Sequence, residues 1–192
     1  MSYNHVTFLL CLPRSRSAWL AQFMRPYCAA SWHNPLQQCA SIEELGRKID
    51  DISTPGNIFI ADVAALFFFD KLVVRFPGAK YIIVHRPAHE VEHSMKRLNV
   101  NPPLNVRSAE KQLVELANSL RMRSDVMTGT FFELNSAEIV RAICRFVTGI
   151  VPPFEYYRRM ARTNVQVPVA EQILRTDLVK QRLLFGSAKI VH

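Results

Sequence analysis

Leu9-Leu10-Cys11-Leu12-Pro13-Arg14-Ser15-Arg16-Ser17-Ala18-Trp19-Leu20 is the stretch whose reading decides the fold. An apolar run from Val6 to Leu12 reads as a buried strand, and Pro13, which has no N–H for a strand ladder, ends it. Four residues carrying two guanidinium groups and two hydroxyls follow. Ala18, Trp19, Leu20, Phe23 and Met24 then recur at helical spacing. A strand, a tight polar turn and a helix start make an anion site. The first-turn N–H groups point outward, and the helix dipole favours negative charge there. Arg14 and Arg16 add positive charge, and Ser15 and Ser17 add donors. The alternative is an ordinary strand-to-helix turn with surface arginines.

Outward from this loop, strands alternate with helices. Cys28 to Trp32 reads as a brief strand or an extended lead into His33-Asn34-Pro35. Ser41-Ile42-Glu43-Glu44 is a capping box that opens a helix to about Asp50. Ile58 to Ala61 is the next strand, ending at Asp62. Ala64 to Phe76 is apolar nearly all round and reads as a buried helix, with Ala64 to Phe69 serving either as core or as a covered interface. Tyr81 to His85 is a strand apolar enough to be buried on both faces. Helices are expected over Glu90–Leu98, over Ser108–Met122 and, capped by Asn135 or Ser136, to about Val147, with a strand from Val126 to Phe132. After Pro152-Pro153, two helical pieces are expected near Phe154–Arg162 and Val169–Leu184.

This alternation predicts an α/β fold: three layers around a P-loop-type parallel sheet of about four to five strands, with helices on both faces. The whole chain, 1–192, reads as one domain whose part from about 151 to 192 is helical. Ligands of such sheets sit beyond the carboxyl ends of the strands, where Arg14, Asp62 and Arg86 fall.

Composition narrows the classes. With 192 residues, 49% apolar and 21% charged, the chain has ordinary globular usage, so disorder and coiled coil are not expected. No apolar run reaches the ~18 residues of a membrane span. No basic leader precedes the first apolar run, so a signal peptide is not expected. The four cysteines, Cys11, Cys28, Cys39 and Cys144, form no Cys-x-x-Cys, so no metal site is expected, and a reducing cytoplasm is the simplest compartment. The net charge of +8 fits an anionic ligand. It is scattered, with no basic block of five or more, so nucleic acid is not the expected partner.

The loop is not the nucleotide triphosphate signature, since it contains no glycine and no lysine. Pro13-Arg14-Ser15-Arg16-Ser17-Ala18-Trp19 instead resembles the 5′-phosphosulfate loop of the sulfotransferase family, usually Pro, Lys or Arg, Ser or Thr, Gly, Thr or Ser, a small residue, Trp. Arg16 stands where the family has Gly. Either Arg16 is strained at a positive φ, or the loop differs in shape and Arg16 itself touches the anion.

A second segment carries the same resemblance. Arg86-Pro87-Ala88-His89-Glu90-Val91-Glu92-His93-Ser94 is similar to the family's Arg-Asn/Asp-Pro-x-Asp/Glu-Val-x-x-Ser, although the proline comes one residue early. Its lead-in, Phe76-Pro77-Gly78-Ala79-Lys80-Tyr81-Ile82, looks like the family's Phe-Pro-x-Ala-Lys-Phe-Ile. Phe131-Phe132-Glu133-Leu134 looks like its Tyr-Glu-Asp-Leu strand end. The likeness is loose over Val6 to Ile150 and close over two short segments.

The resemblance implies a donor, 3′-phosphoadenosine-5′-phosphosulfate (PAPS), with adenosine 3′,5′-bisphosphate (PAP) as product and no metal. Pro13 to Trp19 would hold its 5′ end, and Arg86 and Ser94 its 3′-phosphate. Arg14 would neutralise the leaving group, with Trp19 packing under the loop. The first candidate for the general base is His33, and Asp62 is the second. His85, His89, His93 and Glu90 are expected to serve structure or solvation. Arg158, Arg159 and Arg162 either add a phosphate contact or form a solvated helix face. The acceptor would be a small molecule, glycan or peptide bearing a hydroxyl or amine. The alternatives are a P-loop nucleotide kinase-like enzyme and a non-catalytic binding protein of the same fold.

Overall fold

The computed structural model describes residues 5–98, 105–163 and 165. Five strands form one sheet: β1 (His5–Cys11), β2 (Ala30–His33), β3 (Asn57–Ala61), β4 (Lys80–His85) and β5 (Val126–Thr130). Their order is β2-β3-β1-β4-β5, and every pairing is parallel. β1 is central, with Leu9 in register with Ala61 on one side and Ile82 on the other. Parallel strands need crossovers, and helices supply them. The crossovers carry α1 (Ser17–Met24), α2 (Ile42–Asp50), α3 (Phe69–Arg75), α4 (Ala88–Lys96) and α5 (Val106–Leu120), and α6 (Ala137–Thr148) and α7 (Phe154–Ala161) follow the last strand.

The two-residue period of the strands builds two cores. Phe8, Leu10, Ile58, Ile60, Tyr81 and Ile83 face α2 to α5, packing with Leu45, Leu72, Val91 and Leu113. Leu9, Cys11, Phe59, Ala61, Ile82 and Val84 face α1, α6 and α7, packing with Leu20, Phe23, Val140, Cys144 and Met160. Both faces are covered, as the three-layer expectation requires, which is why β1 and β4 read as continuous apolar runs. Among the described residues, no helix is long and apolar enough to cross a membrane.

Element ends differ from the sequence reading in a few places. The uncertain stretch after Cys28 is a strand at the sheet edge, and it includes His33. The helix expected over Ala64–Phe76 is two pieces, a 3-10 segment Val63–Phe68 followed by α3. Ala64, Ala65, Leu66 and Phe68 are buried in the core, which answers the core-or-interface alternative. α4 starts directly after Pro87, and α5 begins at Val106 rather than Ser108, capped by Asn105, whose Oδ1 accepts from the Ser108 N–H at 3.1 Å. The capping box holds: Ser41 Oγ accepts from Glu44 N–H at 3.1 Å, and Glu44 Oε2 accepts from Ala40 N–H at 2.5 Å. The helix expected over 169–184 lies outside the described residues.

The ends of β2 and β3 are tied to each other. Asp62 accepts from the N–H groups of Leu36 and Ala64, each at 2.8 Å, and Asn34 Oδ1 accepts from Val63 N–H at 3.3 Å. Asn34 and Asp62 are both buried. Asp62→Ala should therefore strip two buried amides of their acceptor and lower stability by about 2–5 kcal/mol. Asp62→Asn, which keeps one oxygen, should lose less. Chemical-denaturation midpoints of the two variants check this ordering.

Candidate functional site

Strand order positions the site. The connection leaving β1 runs to the β2–β3 side of the sheet, and the one leaving β4 runs to the β5 side. A crevice opens beyond the carboxyl ends of β1 and β4, as at any reversal of this kind. Residues 13–16 line it from β1, and residues 86–94 from β4.

The loop after β1 is wound by two left-handed residues, Arg14 at φ 64° and Arg16 at φ 61°. Each non-glycine residue there costs about 1 kcal/mol. Arg16, which stands where the resembled family has Gly, thus adopts a glycine-like conformation. Its side chain is also held in place. Nη1 donates to the Leu134 carbonyl at 3.0 Å, and the guanidinium lies 5.5 Å from the centre of the Trp19 ring. Trp19 is buried, stacks on Phe23 at 5.4 Å, and donates Nε1–H to the Met160 carbonyl at 2.9 Å. It packs under the loop, as the sequence reading has it, and clamps the loop to α7. Arg16 is the N-cap of α1 and makes no side-chain capping bond, so the N-terminus of α1 is left to face the crevice. Ser15 is fully buried, and its hydroxyl has no hydrogen-bond partner among the described residues.

The second cluster meets this loop directly. Arg86 Nη1 donates to the Arg14 carbonyl, and Arg14 Nε donates to Ser94 Oγ at 3.4 Å. Arg86 Nε reaches Glu90 Oε2 at 3.4 Å, and its guanidinium stacks 3.9 Å from the centre of the Phe131 ring. Burial, and to a lesser degree the neighbouring Arg14, pulls the Arg86 pKa down, while Glu90 opposes the shift. Residues 72 positions apart in sequence therefore form one site.

Two adjoining spaces share Arg14, Arg86, Ser94 and Phe131. The outer one, about 740 Å³, continues along α4 past His89, His93 and Arg97. The inner one, about 340 Å³, continues past Arg16, Ser17 and Ala18 to His33. Among the described residues, they are together lined by Arg14, Arg16, Arg86 and Arg97 against one carboxylate, Glu90. Such a concentration of one charge sign attracts anions.

His33 ends β2 and borders the inner space, with Nε2 3.2 Å from Ser17 Oγ. Burial pushes its pKa down to about 4, so the ring is neutral at pH 7. Asp62, the other candidate base, borders neither space. It is buried, and its oxygens serve the amides described above. Burial pushes its carboxyl up to about 6, against the pull of the Leu36, Ala64 and Ala65 amides.

The sequence reading kept His85, His89, His93 and Glu90 as structural or solvating groups. His85 does pair with Glu110, at 2.9 Å, and Glu90 with Arg86, but His89 and His93 line the outer space with Arg97. Their four-residue spacing on one helix was the signal for that shared face. Arg158, Arg159 and Arg162 line neither space, and Arg159 lies 5.3 Å from the Tyr156 ring centre. Phe131 and Leu134 entered the sequence reading only as parts of a strand end, and their contacts with Arg86 and Arg16 were not anticipated.

The fold and site define a parallel α/β protein with an arginine-lined strand–loop–helix crevice at its switch point. No protein-family model matches the chain, and no curated protein matches it significantly.

Arg16→Gly should relieve the left-handed strain while losing the Leu134 contact, leaving stability within about 1 kcal/mol of the parent. Arg16→Ala should keep the strain and lose the contact, falling about 1 kcal/mol below Arg16→Gly. Thermal or urea unfolding of the pair reads the difference.

Proposed function

We propose that the chain is a sulfotransferase-like enzyme that moves a sulfonyl group from 3′-phosphoadenosine-5′-phosphosulfate to a hydroxyl or amine acceptor. The observation that carries this reading is the convergence of Arg14 with Arg86 and Ser94 at one crevice. A donor with phosphate at both ends asks for two cationic contacts, and this crevice supplies two arginines that follow different strands. In this reading the N-terminus of α1, Ser15, Ser17 and Arg14 receive the 5′ end, and Arg86 and Ser94 the 3′-phosphate. Ser15 contributes through the loop it occupies, since its own hydroxyl is buried and borders neither space.

His33 takes the proton from the acceptor hydroxyl. The acceptor oxygen forms a bond to sulfur, and the bond from sulfur to the bridging phosphate oxygen breaks. Its electron pair leaves with the bisphosphate, and Arg14 neutralises the charge that develops there. The proton on His33 then passes to water. A buried, neutral imidazole can accept a proton at any pH above its own pKa.

Incubation with the phosphosulfate donor and a panel of phenols, alcohols and amines should release adenosine 3′,5′-bisphosphate in an acceptor-dependent manner. Arg14→Ala should lower kcat by about 10²–10³-fold, and His33→Ala by about 10²-fold. Because the base works only unprotonated, kcat/KM should hold from pH 8 to about 5 and fall as pH drops through about 4. An acid limb near 6.5, or unchanged turnover in His33→Ala, would remove His33 from this role. Failure of every acceptor would count against the reaction itself.

A further inference from the structure

A third space of about 540 Å³ lies beside the edge strand β2, and nothing in the preceding mechanism uses it. Its walls include Arg25, Trp32, His33, Gln38, Lys48 and Asp51. His33 is the one residue that lines both this space and the inner part of the loop crevice. His33 is thus the residue at which this pocket and the loop crevice adjoin. The volume falls within the range of small-molecule sites, roughly 300–1,000 Å³.

The lining has a definite chemistry. Trp32 offers an aromatic surface, which suits a flat ring. Arg25 and Lys48 are cationic, and Asp51 is the one carboxylate among the lining residues. The Lys48 ammonium is partly engaged, donating to the Gln38 carbonyl at 2.8 Å and lying 3.5 Å from Glu44. The Arg25 guanidinium makes no hydrogen bond or ion pair with any other described residue. It sits in the 3-10 segment Arg25–Tyr27 that continues α1, where Pro26 fixes the backbone beside it. His33 adds no charge, because burial keeps it neutral. The free fork of Arg25 is suited to a carboxylate or another planar anion.

We infer that this pocket is the acceptor site, and that its ligand is a hydroxylated ring bearing an anionic substituent. The ring lies against Trp32, the anion meets Arg25, and the hydroxyl lies at His33, where this pocket adjoins the loop crevice. This inference rests on the sulfotransferase reading for the word acceptor. The pocket and its ligand class rest on the lining residues alone.

The test is a calorimetric titration of the full chain with 4-hydroxyphenylacetate and with its neutral amide, 4-hydroxyphenylacetamide. Each probe is titrated with and without saturating adenosine 3′,5′-bisphosphate. The carboxylate should bind about tenfold more tightly than the amide, and the bisphosphate should not displace it. Arg25→Gln, with an unchanged unfolding temperature, should bring the two probes to within about twofold. Lys48→Gln should have a smaller effect, since that ammonium already has partners. Equal affinity of the two probes, absence of binding by both, indifference to Arg25→Gln, or displacement by the bisphosphate would each overturn the inference. Carboxylate binding that depends on Arg25, in a chain that ignores the bisphosphate, would leave this pocket standing and remove the sulfotransferase reading. Bisphosphate binding with no preference between the probes would do the reverse.

Discussion

The hydrogen bond from the Arg86 guanidinium to the Arg14 carbonyl holds the two sides of the crevice together. It binds the end of β4 to the loop leaving β1, across the point where the chain reverses direction in the sheet. It also brings a second guanidinium next to Arg14, with Glu90 as the one acidic side chain lining the crevice. Like charges at this spacing repel, and partial burial weakens the screening that water would supply. The Phe131 ring and Glu90 offset part of that cost. In the proposed reading, a phosphate of the donor would offset the remainder.

A second constraint fixes the other end of the crevice. His33 lies on an edge strand of four residues, which by itself would hold a side chain poorly. The exchange of amide bonds between Asn34 and Val63, and between Asp62 and Leu36, anchors that strand end to β3. Asp62 is thus the residue that makes His33 a fixed group, although it borders none of the three spaces. The burial that comes with this packing also keeps the imidazole unprotonated at neutral pH.

The layers of the fold were legible because each strand face has its own periodic pattern. Phe8 and Leu10 alternate with Leu9 and Cys11, and the helices that cover them carry matching apolar stripes. The two arginine clusters were legible because each follows an apolar strand directly, which places it at the carboxyl edge. The contacts between them were not, since Arg14 and Ser94 approach through tertiary folding that no local pattern encodes. The amide partners of Asp62 were not legible for a related reason. A carboxylate at a strand end reads equally as a reactive group or as an amide acceptor, and the partner amides of Leu36 and Ala64 belong to turns whose path depends on packing. The left-handed backbone at Arg16 was foreseeable as one of two alternatives, because the resembled loop has glycine there. Its Leu134 contact was not foreseeable.

The central claim is that Arg14, Arg86 and Ser94 form one site for a ligand phosphorylated at two positions. Calorimetric titration with adenosine 3′,5′-bisphosphate, adenosine 5′-monophosphate and ATP with magnesium tests it most directly, on the parent chain and on Arg86→Ala. The account predicts that the bisphosphate binds most tightly, that the monophosphate is at least about tenfold weaker, and that Arg86→Ala removes the difference between them. Equal affinity for the mono- and bisphosphate, or tightest binding of ATP with magnesium, would contradict it.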